Sequence, residues 1–208
     1  MKRSVDLITV ETFLSEAVTT MSPAASDQLI EDHVAVDKIL KELKAALAGR
    51  DVIAGHAKLD LFWARLAVHI RAEHLHLFPA VLRHLESVKG ECVSAPDLSA
   101  AQSLIARLVA DHDYFMVGLA RLMKTMRELL KVSETEIINE QVGYVSDMVD
   151  EIEQRLIDHN ELEEGQVYRW VTTMLRPAHQ EDLVRQIIGE LEKRPPRFPA
   201  NVWSNPKR

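Results

Sequence analysis

The stretch SDQLIEDHVAVDKILKELKAALAG, Ser26 to Gly49, decides the fold. Leu29, Ile30, Val34, Val36, Leu40, Leu43 and Leu47 recur at three- and four-residue spacing, which places them on one broad stripe of an α-helix. Ser26 or Asp27 is placed to cap its start and Gly49 to stop it. His33 lies inside the apolar stripe, so this helix carries an imidazole toward whatever core it joins.

The same pattern extends in both directions. Asp51 can cap a second helix from about Val52 to Leu85, with Pro79 expected to kink it or end its regular part. Ser87 to Pro96 reads as a loop. A third helix is expected from Asp97 or Ser99 to Lys131, with Leu104, Leu108, Phe115, Leu119 and Leu122 on one face. Ser133 and Glu136 match a capping box that opens a fourth helix reaching Leu175. Pro177 suits the first position of a short fifth helix ending near Lys193. Residues 1–25 read as a leader with an apolar helix candidate around Val10 to Val18. The tail from Pro195 to Arg208 has four prolines and no helical pattern, and its Phe198 and Trp203 are expected to dock on the bundle or on a second subunit. The expectation is an all-α chain: an antiparallel four-helix bundle over residues 26–175, then residues 176–208 as an extra C-terminal helix and an extended tail.

Composition agrees and removes several function classes. Seven glycines and 5% aromatic residues, in a chain dominated by Leu, Ala, Val, Glu and Arg, disfavour a β-sandwich. The net charge of −7 comes with no basic cluster, which argues against a nucleic-acid partner. No run of eighteen apolar residues exists to span a membrane. Asp6 and Glu11 interrupt the apolar run that a signal peptide needs, so a cytoplasmic setting is expected. A lone Cys92 allows neither an internal disulfide framework nor a cysteine-rich metal site, and in its loop-like segment it reads as a spectator.

The histidines carry the chemistry. His33 is followed by His69 with Glu73, and His112 by His159 with Glu163, so the order His, His-x-x-x-Glu is written twice. Residues four apart share a helix face, which makes each His-x-x-x-Glu a two-toothed clamp. A single histidine on an apolar face is usually a satisfied core residue. Burying four imidazoles and two carboxylates together is different, because each unpartnered polar group costs roughly 1–3 kcal/mol. A divalent metal is the best compensation. Imidazole plus carboxylate suits iron, zinc, copper or nickel and lacks the thiolates of structural zinc sites. Two carboxylates on opposing helices can bridge a metal pair, with two terminal imidazoles per metal and coordination positions left for a small ligand.

The segments His69-Ile-Arg-Ala-Glu73-His-Leu-His-Leu-Phe-Pro79 and His159-Asn-Glu-Leu-Glu163-Glu-Gly-Gln-Val-Tyr168 resemble the hemerythrin-like family, in its HHE cation-binding branch. The resemblance covers about residues 26–175. It implies a non-haem di-iron centre bridged by oxo, hydroxo or water. It also implies Glu73 and Glu163 as bridging carboxylates, and His33, His69, His112 and His159 as terminal ligands. Met116 stands where oxygen-carrying members place a further histidine, which speaks against reversible oxygen transport. His76 is a candidate near-site residue, Glu164 a rival to Glu163, and Asp37 repeats the clamp spacing after His33, whereas His74 is expected to be peripheral. Asp32, Asp111 and Asp158 each precede a candidate ligand and point about 100° away from it, so they can serve only a histidine on another helix; solvation or helix pairing is the plainer reading. His56, His84 and His179 fit no constellation and are expected at the surface. Trp63, Phe115 and Leu162 are candidates to keep water out. The function expected is binding of, or reaction with, dioxygen, peroxide or nitric oxide, by a monomer or a homodimer. The alternatives are iron storage, donation or sensing without turnover, and a helical interaction protein stabilised by zinc or by one metal. No further motif commits the chain to an enzymatic reaction.

Overall fold

The computed structural model describes residues 24–88 and 96–193, and among these every regular element is helical. Helix α1 is Ala25–Ala48 and α2 is Val52–Ala72; a π-helical turn, Glu73–Leu77, joins α2 directly to α3, Phe78–Val88. Helix α4 is Leu98–Leu129. Helix α5, Thr135–Leu162, passes through a second π-helical turn, Glu163–Val167, into α6, Tyr168–Met174, and α7 is Pro177–Leu191. The leader helix expected at Val10 to Val18, Cys92, and the tail with Phe198 and Trp203 lie outside the described residues. No helix among the described residues is long and apolar enough to cross a membrane.

Helix α1 packs on α2 and α5, and α4 packs on α2 and α5. Each neighbouring pair runs antiparallel. Glu42 meets Lys58 while Asp32 meets Arg65, so α2 descends as α1 rises. Likewise His112 meets His159 while Gly118 lies against Ile152. Gly55 and Gly118 mark close approaches: a Cβ added at Gly55 would stand 3.1 Å from Met126, and one at Gly118 3.3 Å from Ile152.

Helix ends follow local chemistry with three corrections to expectation. The N-cap of α1 is Ala24, and Asp27, three residues in, accepts a 2.8 Å hydrogen bond from the Ala24 N–H. At its other end Gly49 stays right-handed and Arg50 takes the left-handed position at φ 58°. The N–H of Arg50 then reaches the carbonyl of Leu47, and that of Asp51 the carbonyl of Ala46, closing a Schellman motif. A left-handed arginine is strained where glycine is not. Arg50→Gly is therefore expected to stabilise the metal-free protein by about 0.5–1 kcal/mol, read as a higher urea midpoint at unchanged slope; a lower midpoint would contradict it. The third correction is at α5, where Glu134 is the N-cap and no side chain closes a box. Asp51 caps α2 as expected, its Oδ1 accepting from the Ala54 N–H at 2.9 Å. Pro177 is the first residue of α7.

Pro79 neither ends nor visibly breaks its helix. Proline has no N–H to offer the preceding turn, and the chain widens ahead of it, with the Phe78 N–H reaching back five residues to the carbonyl of Glu73. The Tyr168 N–H does the same toward Glu163 without any proline nearby. The two π turns therefore track the clamp glutamates, each of which opens one.

Two apolar clusters fill the interior. One is built from Val36, Leu40, Leu43 and Leu47 with Phe62, Phe115, Leu122, Val145 and Ile152. The other holds Leu29, Leu77, Phe78, Leu108, Tyr168, Leu183 and Ile187, so α7 helps to close that end. Along α1 the change of cluster falls between Leu29 and Val36, either side of His33, and along α4 between Leu108 and Phe115, either side of His112. A polar layer thus separates two greasy halves.

Candidate metal centre

All six residues singled out by the His, His-x-x-x-Glu repeat meet in that layer. Glu73 and Glu163 are fully buried, and His33, His69, His112 and His159 are between 2% and 7% exposed. The imidazoles form two pairs, with Nε2 of His33 3.0 Å from Nε2 of His69 and Nε2 of His112 2.9 Å from Nε2 of His159. Each carboxylate divides its oxygens between the pairs. Glu163 places Oε2 3.4 Å from His33 Nε2 and Oε1 3.0 Å from His159 Nε2. Glu73 places Oε1 3.5 Å from His69 Nε2 and Oε2 3.3 Å from His112 Nε2. The Tyr168 hydroxyl joins the first pair, donating to Glu73 Oε1 at 2.8 Å and standing 3.2 Å from His33 Nε2.

The outer ring nitrogens are held from behind. His69 Nδ1 faces Asp32 Oδ2 at 3.1 Å, and His159 Nδ1 faces Asp111 Oδ2 at 3.5 Å. Arg65 binds Asp32, and Arg155 binds Asp111 through two nitrogens, at 2.9 and 2.6 Å. His33 Nδ1 meets Glu164 at 2.8 Å, and His112 Nδ1 meets His74 at 2.8 Å. A carboxylate accepts the proton of the nitrogen that it faces. In a neutral His33, His69 or His159 the lone pair therefore sits on Nε2, turned into the site.

The electrostatics of the metal-free protein match this crowding. Burial alone would lower the His69 pKa, but Glu73 and Asp32 outweigh it and raise the ring to about 10. His33 and His159 are likewise raised against burial, chiefly by hydrogen bonding to Glu163. Burial works to raise the Glu163 carboxyl, yet His112, His159 and His33 together hold it well below its ordinary value. Burial first, and then Glu163 and Glu73, keep the Tyr168 phenol protonated far above its usual range.

Other sequence expectations fare unevenly. Asp37 is bonded to Lys41 and does not enter the site. His76 stands 3.8 Å from Glu190, away from the inner atoms. Glu164, the rival carboxylate, is 41% exposed and touches only the outer nitrogen of His33. His74 is not peripheral, because the π turn swings it behind His112. Asp32 and Asp111 serve histidines on adjacent helices, whereas Asp158 is exposed beside Gln154. His56 is 9% exposed rather than superficial, being three residues before Leu59 on the buried face of α2. His84 is half-buried and shares a cleft of about 300 Å³ with the exposed His179. Phe115 sets its ring edge-on to His159 at 5.4 Å. Trp63 and Met116 pack on the first apolar cluster and Leu162 on the second.

Residues missed from sequence were present in the repeat. Four before each clamp histidine stands Arg65 or Arg155, one after each clamp glutamate His74 or Glu164, and five after it Phe78 or Tyr168. Phe78 stacks on His112 and Tyr168 on His33, with interplanar angles of 12° and 24°.

The donor set fits a metal. Donors at about 2.0–2.1 Å from one ion and at right angles lie about 3.0 Å apart, which is the spacing within each imidazole pair. Glu73 Oε2 and Glu163 Oε1 are buried with no hydrogen-bond partner, a costly state for a carboxylate unless a cation meets them. Two groups of buried donors can each hold an ion: His33, His69, Glu73 and Glu163, and His112, His159 and Glu163. No family model, curated protein or solved structure matches the chain.

Proposed function

We propose that this is a hemerythrin-like protein of the HHE type, a four-helix bundle that holds two irons and binds or reacts with a small oxidant such as dioxygen, peroxide or nitric oxide in the cytoplasm. One observation carries the reading: both carboxylates split their oxygens between the two imidazole pairs, and one oxygen of each has no other partner. His33 and His69 would hold one ion, His112 and His159 the other, with Glu73 and Glu163 across both. The antiparallel pairing of α1, α2, α4 and α5 supports the bundle.

When bound, two ferrous ions would supply electrons to the oxidant. The chain does the rest. Asp32 and Asp111, each fixed by an arginine, orient the rings of His69 and His159. The two apolar clusters keep bulk water from both sides of the polar layer, so charge developing there is met by fixed carboxylates. Tyr168 holds a proton against Glu73.

Metal analysis of anaerobically prepared protein, followed by absorption spectra on adding air or nitric oxide, tests this. Two irons per chain and the near-ultraviolet bands of a bridged ferric pair are expected, with both lost in His69→Ala. One metal or none in the wild type would sink the di-iron reading, and tightly held zinc without spectral response would favour a structural role.

A further inference from the structure

Resting on the two-metal reading, we propose that Tyr168 is itself a protein ligand of the ion held by His33 and His69, so that the two metal positions are unequal and the one left for an outside ligand lies beside His112 and His159. The argument is spacing. Tyr168 Oη stands 2.8 Å from Glu73 Oε1, 3.2 Å from His33 Nε2 and 3.4 Å from Glu163 Oε2. Donors at about 2.0–2.1 Å from a common ion are about 3.0 Å apart at right angles and about 3.4 Å at the tetrahedral angle. The hydroxyl therefore stands among the other donors at the spacing of a fifth, not behind them as Asp32 and Glu164 do.

The repeat isolates the effect. Tyr168 and Phe78 occupy equivalent places, five residues after their clamp glutamates and first after their π turns. Both rings lie over a site imidazole, but only one carries an oxygen. The His33 side thus offers His33, His69, Glu73, Glu163 and Tyr168, whereas the His112 side offers His112, His159, Glu73 and Glu163. Without the π turn, Tyr168 would be rotated about 100° around the helix, away from the layer. On metal loading the Tyr168 O–H bond breaks, a metal–oxygen bond forms and the proton leaves to solvent; no electron moves. Neither of the other tyrosines competes, since Tyr114 bonds Glu151 and Tyr144 is 48% exposed.

The test is the visible and resonance Raman spectrum of the ferric wild type beside Tyr168→Phe, with iron counted in both. The expected result is a phenolate-to-iron charge-transfer band in the wild type, with ring modes that shift when ring-deuterated tyrosine is incorporated. Tyr168→Phe should lose the band while still taking up two irons, one of them at least about tenfold more weakly. Two irons in the wild type without phenolate modes would overturn the ligand role and leave the two-metal reading standing. Fewer than two irons in the wild type would overturn both. Should Tyr168→Phe not fold, the labelled wild-type spectrum decides alone.

Discussion

Glu163→Gln is expected to leave a chain that holds at most one metal, with affinity for the pair lowered more than 100-fold. Outer partners of a ligand are already worth about 10- to 100-fold, and Glu163 is the one residue common to both donor groups. Its Oε1 faces His159 and its Oε2 faces His33 and Tyr168, so an amide would put an N–H₂ where one ion needs a lone pair. The metal-free protein should suffer as well. Removing one partner of a buried ionic network costs about 3–5 kcal/mol, and in a chain of this size that corresponds to a fall of roughly 10 °C in Tm. Metal counting on the purified variant and calorimetry in chelator check the two halves separately. Two metals at wild-type affinity would show that Glu163 bridges nothing, whatever the stability change.

How far the sequence discloses this site depends on which physical rule places each residue. The inner six are legible because i, i+4 spacing on a straight helix puts histidine and glutamate on one face. The failures begin where the helix stops being straight. A π turn adds a residue to one turn, so a face count made at 100° per residue misplaces everything beyond Glu73 and Glu163. That is why His74, expected off to one side, backs His112, and why Tyr168 was read as the end of a motif instead of part of the site. Asp32 and Asp111 were half-legible. Their angle to the neighbouring histidine excluded self-service, but the choice of His69 and His159 depends on how adjacent helices cross, which no single-helix count contains. The arginines at 65 and 155 stood in register in both halves, and alignment of the halves against each other would have exposed them. His56 shows the opposite error, where looking for a constellation hid an ordinary position on a core face. Gly49 failed as the left-handed residue because the helix ran on until the turn fell on Arg50.

Stability should respond to pH with opposite sign in the metal-free and metal-loaded forms. In the metal-free protein His69 is raised from 6.5 to about 10, with His33 and His159 raised as well. A raised imidazole stabilises fully below its unfolded pKa and loses that contribution as pH climbs through the folded one. Metal-free stability should therefore fall between about pH 6.5 and pH 10. On the acid side Glu163 and Asp32 are lowered, so their contribution is present above their unfolded values and lost as pH drops through the folded ones. Burial-lowered His56 and His74 act against the other histidines, but both are less deeply buried than His69. The metal-free optimum thus sits between about pH 4.5 and pH 6.5. A metal needs these imidazoles without their Nε2 protons, so its affinity, and the stability it adds, grow as pH rises. Thermal unfolding from pH 5 to pH 9, in chelator and in excess ferrous iron under nitrogen, should show two curves that diverge toward alkali. Parallel curves would mean that metal and protons do not compete for the same nitrogens, and the inward-facing Nε2 atoms would then not be the ligands.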